Sequence, residues 1–230
     1  MSYKDEIDNS DQLVIDISNG SGLARQDEVL PEKLYIIPIS GRPFFPAQIQ
    51  PVVVSKKRWA ETLRRVAKTP HMALGLVYVG DQDPDKVLAG DLPLIGCAVR
   101  VHNVIADDNN LQFVAQGIKR FRIEQWFKAK PPMLSRVSYP EARITNSDSI
   151  KAYAMAVVKA IKDLLPLNPL YTEELKNYLS RFSPNDPSPL TDFAAAITSA
   201  KGDELQVILE TVPIRARMEK VLVLLRKEMD

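Results

Sequence analysis

From Leu34 to about Tyr139 apolar residues recur at every second position, rich in Val, Ile and aromatic side chains, and clusters of turn-forming residues separate the runs. This pattern predicts seven strands, at Leu34–Ile39, Gln50–Ser55, Met72–Val79, Leu94–Ile105, Leu111–Ile118, Phe121–Phe127 and Met133–Ser138. Between the second and third, Trp59, Leu63, Val66 and Ala67 fall at helical spacing within Lys56–Lys68 while Lys and Arg fill the other face, which predicts one amphipathic helix. Asp107-Asp108-Asn109-Asn110 tolerates the backbone of a tight turn and makes 94–118 a hairpin. Gly117 marks a bulge, and Pro131-Pro132 marks a strand break. Seven short strands with one helix imply a small, strongly curved or barrel-like sheet, because flat open edges of this length invite edge-to-edge pairing.

After about Asn146 the strand pattern stops and helical spacing with clear punctuation takes over. Asn146 or Ser147 caps a helix running to Leu165, and Asn168-Pro169 and Ser188-Pro189 each place a capping side chain ahead of Pro in the first helical turn. Ser183 to Pro189 reads as a rigid non-helical connector. Gly202-Asp203 reads as the end of one helix and the cap of the next. A last helix from about Pro213 carries Ile214, Met218, Val221, Leu222 and Leu225 on one face, and the lack of a stop signal before Asp230 is expected either of a helix that frays at a true terminus or of one that continues into a longer chain. The fold class is therefore α+β, with a β-domain over 33–145 followed by a helical bundle over 146–230.

Residues 1–32 are polar and acidic, and are expected to form a flexible tail. Within them Leu13, Ile15 and Ile17 would fall on one side of an extended strand, which reads first as a solvated transient strand and secondly as a segment able to dock on a sheet edge or a partner.

Charge removes some functions. With 30 Lys and Arg against 29 Asp and Glu, the net charge of +1 gives no electrostatic reason to expect nucleic acid or an anionic membrane as partner. The basic runs Lys56-Lys57-Arg58 and Arg64-Arg65 read as a solvated helix face, and in Lys119–Ile123 alternation turns Phe121 and Ile123 inward and Arg120 and Arg122 outward. The first residues lack the basic start and apolar centre of a signal peptide, and no apolar run approaches the roughly 18 residues that cross a bilayer. One cysteine, Cys97, lies in an apolar run where a buried inert thiol is expected; a cytoplasmic location follows.

Catalytic chemistry has little material. The chain contains no GxxxxGK[ST], GxSxG, HExxH or CxxC motif, and His71 and His102 are its only histidines. Asp81, Asp83, Asp85 and Asp91 resemble a calcium loop in spacing, but Lys86 and Leu92 stand where that loop needs Gly and Glu. No catalytic residue, metal site or cofactor site is expected in these residues.

A family comes into view in ordered fragments. Leu34-Tyr35-Ile36-Ile37-Pro38-Ile39-Ser40-Gly41-Arg42-Pro43-Phe44-Phe45-Pro46 and then Gln50–Val54 resemble the opening of the Lon protease N-terminal domain. Leu94–Val101 is similar to that family's "vGt.A.i" strand and Phe113–Ile123 to its "v.v.G..R..i" pair. Leu190–Ile197 and Leu205–Met218 resemble its "laD.ia" and "kQ.lLe..d...Rl" segments, so the likeness spans about 33 to 229. Two departures stand out: Val212-Pro213 where the family commonly has an Asp cap, and Ala47 where Gly often follows Phe-Pro.

The resemblance implies a PUA-like β-domain joined to a helical bundle, ahead of an ATPase module and a Ser-Lys peptidase module that these residues do not contain. It implies capture of unfolded or tagged proteins, a hexameric full-length protein, and ATP and Mg as cofactors of that parent protein alone. Phe44, Phe45, Trp126 and Phe127 are the candidate substrate contacts, with plugging of one barrel end as the competing reading for the Phe44-Phe45-Pro46 loop; solvent exposure decides between them. A stand-alone adaptor without an enzyme is the second functional reading, and RNA binding, from PUA-like sheets in general, the third.

Overall fold

The computed structural model describes residues 30–142, 147–164 and 186–229, with the isolated positions Leu179 and Ser183. Six strands form one mixed sheet: β1 (Lys33–Ile39), β2 (Ile49–Ser55), β3 (Ala73–Tyr78), β4 (Ile95–Ala106), β5 (Asn110–Lys128) and β6 (Leu134–Ser138). Helix α1 (Lys56–Ala67) lies between β2 and β3; then come α2 (Ser147–Leu164), α3 (Ser188–Ala196), α4 (Gly202–Glu210) and α5 (Ile214–Lys227).

The sheet order is β2-β5-β4-β3-β1-β6, and β6 pairs back onto β5. Strands β5, β4, β3, β1 and β6 therefore close into a ring, with β1 and β3 parallel and the other pairs antiparallel. The expected curved or barrel-like sheet is realised as a closed barrel, which leaves no open edge in the ring.

One strand does more than its sequence pattern announces. Leu111–Ile118 and Phe121–Phe127, expected as two strands, are one 19-residue strand, β5. Its first half pairs with β2 and its second half with β6, while most of its other edge pairs with β4. Register shifts bend it on the way, one of them opposite Ala98/Val99 beside Gly117, where a bulge was expected. A side chain on Gly117 would place Cβ 2.2 Å from the Phe45 carbonyl oxygen, so this glycine lets the 44–48 loop lie against the strand. The turn between β4 and β5 is held by the Asp107 carboxylate, which accepts from the Asn109 and Asn110 N–H groups at 2.8 and 2.6 Å.

Two hydrophobic cores result. The barrel core gathers Ile36, Leu74, Phe113 and Phe121, and α1 contributes Trp59, Leu63 and Val66 to it. The second core is built by α2, α3, α4 and α5, and it also takes in Phe45 and Ile95 from the β-rich part. The helix boundaries follow the expected punctuation at Ser147, Ser188 and Ile214, although Ser188 and Pro189 already belong to α3 rather than to a connector. Asn168-Pro169 and residues 1–29, including Leu13–Ile17, lie outside the described residues. Residues 31 and 32 are tied to the barrel rather than to a tail: the Tyr139 hydroxyl donates to the Pro31 carbonyl at 2.6 Å, and the Val137 N–H to that of Glu32 at 2.8 Å.

Gly202 departs from its expected role. It is the first residue of α4, and the N–H preceding the helix, on Lys201, donates to the Glu204 carboxylate. A Cβ on Gly202 would sit 2.2 Å from the Tyr78 hydroxyl and 2.6 Å from the Gly41 carbonyl oxygen, so glycine stands here for close approach of helix to barrel. Asp203 accepts a hydrogen bond from Tyr78 at 3.2 Å instead of capping the helix.

Candidate functional site

The four expected substrate contacts do not form one site. Phe44 is 5% exposed within the barrel core, and Phe45, fully buried, points into the helical core. Neither is open to a passing chain, which corrects the expectation for both: an aromatic pair at the seam of two cores is consumed by both. The loop that carries them is a joint. Arg42 donates from it to the carbonyls of Ala196, the last residue of α3, and of Thr198 and Ala200 just past it, with the Thr198 bond at 2.8 Å. Trp126 is half-buried against the barrel core. Phe127 is 43% exposed, and its ring lies under Lys33 and Arg136, whose charged groups stand 5.1 and 5.4 Å from the ring centre.

A second cluster at the joint was not foreseen as one. Arg120 on β5 grips Asp192 of α3 with both terminal guanidinium nitrogens, at 2.6 and 2.5 Å, and its Nε donates to the Leu209 carbonyl at 2.8 Å. Arg217 of α5 reaches the same carboxylate at 3.0 Å and donates to the carbonyls of Thr211 and Val212. All three side chains are buried. Arg120 does point out of the barrel, as alternation requires, but helices cover that stretch of β5, so it is not a solvated residue. Burial pulls Arg217 below the usual guanidinium range. The available signal lay in the family fragments, since Gly117, Arg120, Asp192, Gln206 and Arg217 all come from them and all meet at this seam. Gln206 donates to the Ile95 carbonyl of β4 at 3.1 Å.

Away from the joint, no described element covers the outer face of β2, β5 and β4. Cross-strand register sets its side chains in three rows: Ile49–Gln116–Arg100, Pro51–Val114–His102 and Val53–Gln112–Ile105. Ile49, Val53 and Ile105 are 65%, 60% and 64% exposed, among the most exposed large apolar residues described. The backbone bonds Gly117 N–H to Gln48 O and Lys56 N–H to Asn109 O bracket the β2–β5 ladder and place the even-numbered β2 residues in its hydrogen-bonded pairs. Odd residues turn their backbone groups to the edge that pairs with no strand among the described residues, and at Pro51 that edge lacks an N–H. The edge is thus blunted against strand addition while its apolar side chains remain available.

Other expected chemistry is quiet. Cys97 is buried in the barrel wall, and burial raises its thiol well above its ordinary range, which suppresses the reactive thiolate. His102 contacts Gln116 at 3.0 Å. Among the described residues no group of three or more His, Cys, Asp or Glu is placed to hold a metal, and no helix is long and apolar enough to cross a membrane.

Comparison with known proteins now decides the family. The model of the ATP-dependent protease La (LON) substrate-binding domain matches residues 33–227. The chain belongs to this family. It is 38% identical over 201 residues to Lon protease 2 of Hydrogenovibrio crunogenus, and 39% identical over 212 residues to Lon protease 1 of Syntrophotalea carbinolica. These alignments cover 87% and 91% of this chain but 23% and 26% of those proteins, so the chain spans about a quarter of their length. The fold matches the N-terminal domain of the Mycobacterium avium complex Lon protease with a TM-score of 0.69 at 18% identity, covering 84% of this chain and 98% of that one. A Lon N-terminal domain protein from Xanthomonas campestris matches at 0.58 and 14% identity, covering 83% and 97%. As a Lon substrate-binding domain, the chain has the mixed six-stranded sheet and helices of that fold.

Proposed function

We propose that this chain is the substrate-capturing region of an ATP-dependent Lon-type protease, and that unfolded polypeptide is held on the outer face of β2, β5 and β4. One observation carries the assignment: a member of a substrate-binding family exposes Ile49, Val53 and Ile105 together on one sheet face, on a barrel whose other apolar positions are largely packed away. Unfolded chains differ from folded ones in offering apolar side chains, and alternating apolar residues of an extended segment repeat at about 7 Å, the spacing of Ile49, Pro51 and Val53 along β2. Phe127, with its flanking cations, is a second contact that suits aromatic or acidic residues of the same chain.

In this reading residues 33–145 are a PUA-like β-domain and 146–230 a helical bundle. ATP and Mg act in an ATPase module, and peptide cleavage in a Ser-Lys peptidase module, both in the rest of a hexameric cytoplasmic protease. The partners are unfolded or tagged proteins, not nucleic acid or membrane. The test is binding of a fluorescent, permanently unfolded protein to the chain and to a variant carrying Ile49→Ser, Val53→Ser and Ile105→Ser. Full burial of one such side chain is worth about 1.5–3 kcal/mol, so partial burial of three gives at least a tenfold loss of affinity. Unchanged affinity in a folded variant rejects the site.

A further inference from the structure

The chain carries its own candidate occupant for the exposed face. Among residues 1–29, the sequence Leu13-Val14-Ile15-Asp16-Ile17 has apolar residues at positions 13, 15 and 17, the same two-residue period as Ile49, Pro51 and Val53 on β2. Charge favours the match. Residues 1–29 hold seven carboxylates, at Asp5, Glu6, Asp8, Asp11, Asp16, Asp27 and Glu28, against Lys4 and Arg25. The nine positions of the face include no carboxylate, and Lys57 follows close after β2. Reach is sufficient, since the residues between Ile17 and Leu30 span up to about 40 Å when extended, more than the roughly 30 Å width of a small domain.

We propose that Leu13–Ile17 docks on the outer face of β2, β5 and β4 as an intramolecular competitor of unfolded substrate. The mode is side-chain packing across the three rows rather than addition of a seventh strand, because Pro51 removes an edge donor at the middle of β2. A short tether holds the segment at an effective concentration on the order of millimolar. Docking with an intrinsic affinity in that range covers the face part of the time, and substrates that bind more tightly displace it. The competitive role rests on the substrate-binding reading of this face; the docking itself does not.

A nitroxide attached at Ser18→Cys tests the docking in the 230-residue chain, with the buried Cys97 left unlabelled. Paramagnetic broadening is expected at the methyl signals of Ile49, Val53 and Ile105, independent of protein concentration, and is expected to vanish when Leu13→Asp, Ile15→Asp and Ile17→Asp are added. The same three substitutions, without the label, should tighten binding of a permanently unfolded protein by about twofold, as an occupant whose intrinsic affinity matches its millimolar effective concentration implies. Broadening with unchanged affinity keeps the docking and removes the substrate from this face. Absence of broadening there overturns the proposal whatever the affinity does. Broadening that grows with protein concentration also overturns it, by assigning the face to a second copy.

Discussion

Replacing Asp192 by Ala removes one carboxylate and leaves two buried guanidinium groups facing each other. Arg120 loses both arms of its bidentate contact and Arg217 loses one bond, at side-chain exposures of 6% and 2%. Breaking a buried ion pair by deleting one partner costs about 3–5 kcal/mol, and here the local charge rises from +1 to +2, which places the cost at the upper end, about 4–5 kcal/mol. The reverse deletion is cheaper. Arg217→Met leaves Arg120 and Asp192 as a neutral pair and strips side-chain donors from two carbonyls, Thr211 and Val212, for about 2–3 kcal/mol. For a chain of this size each kcal/mol moves the midpoint of thermal unfolding by about 2–4 °C, so Asp192→Ala is expected to lower it by about 8–20 °C and Arg217→Met by roughly half as much. Calorimetry on the two variants and the parent provides the comparison. A loss under about 1 kcal/mol for Asp192→Ala, or equal losses for both variants, would refute the idea that one carboxylate holds the seam together.

Three further outcomes follow from other parts of the structure. Ala47 sits at φ 67°, a left-handed conformation that costs a non-glycine residue about 1–2 kcal/mol, against about 0.4–1 kcal/mol of unfolded-state entropy added by glycine; Ala47→Gly is expected to raise the melting temperature, and a lowered one contradicts this. Phe45→Ala should cost about 3–5 kcal/mol in denaturant unfolding, since it empties a position inside the helical core, whereas a contact residue on a free surface would cost almost nothing. Arg65 hydrogen-bonds Glu61, Lys119 bonds Glu141 and Lys227 bonds Glu204, and each lowers its carboxyl below the ordinary range. With folded values below unfolded ones, their stabilisation is present above about pH 4.5 and is lost as pH falls through the folded values, so stability measured from pH 6 downward should decline only below about 4.5.

Local patterns made most elements legible. Period-two runs located the strands, helical spacing located α1 and α5, and Asp107 to Asn110 located the β4–β5 turn, because each depends on neighbours in sequence. Closure of the barrel was less accessible: it depends on β5 pairing with three strands, and a bulge inside a continuous strand has the same local signature as a break between two. The direction of Phe45 and the burial of Arg120 were hidden for a related reason. Alternation tells which side of a strand a residue occupies, but not what lies on that side, and here helices 70 or more residues later supply the cover. The exposed rows of β2, β5 and β4 needed both register and the absence of a covering element among the described residues, so Ile49, Val53 and Ile105 did not stand out among the other apolar strand residues.

The claim that unfolded chains bind this face is tested most directly by methyl-resolved NMR of the 230-residue protein during titration with a permanently unfolded protein. The account predicts that Ile49, Val53 and Ile105 shift or broaden first and saturate together, while Ile36 and Leu74 of the barrel core stay unchanged. Saturable changes confined to other surfaces, with Ile49, Val53 and Ile105 unmoved, would contradict it.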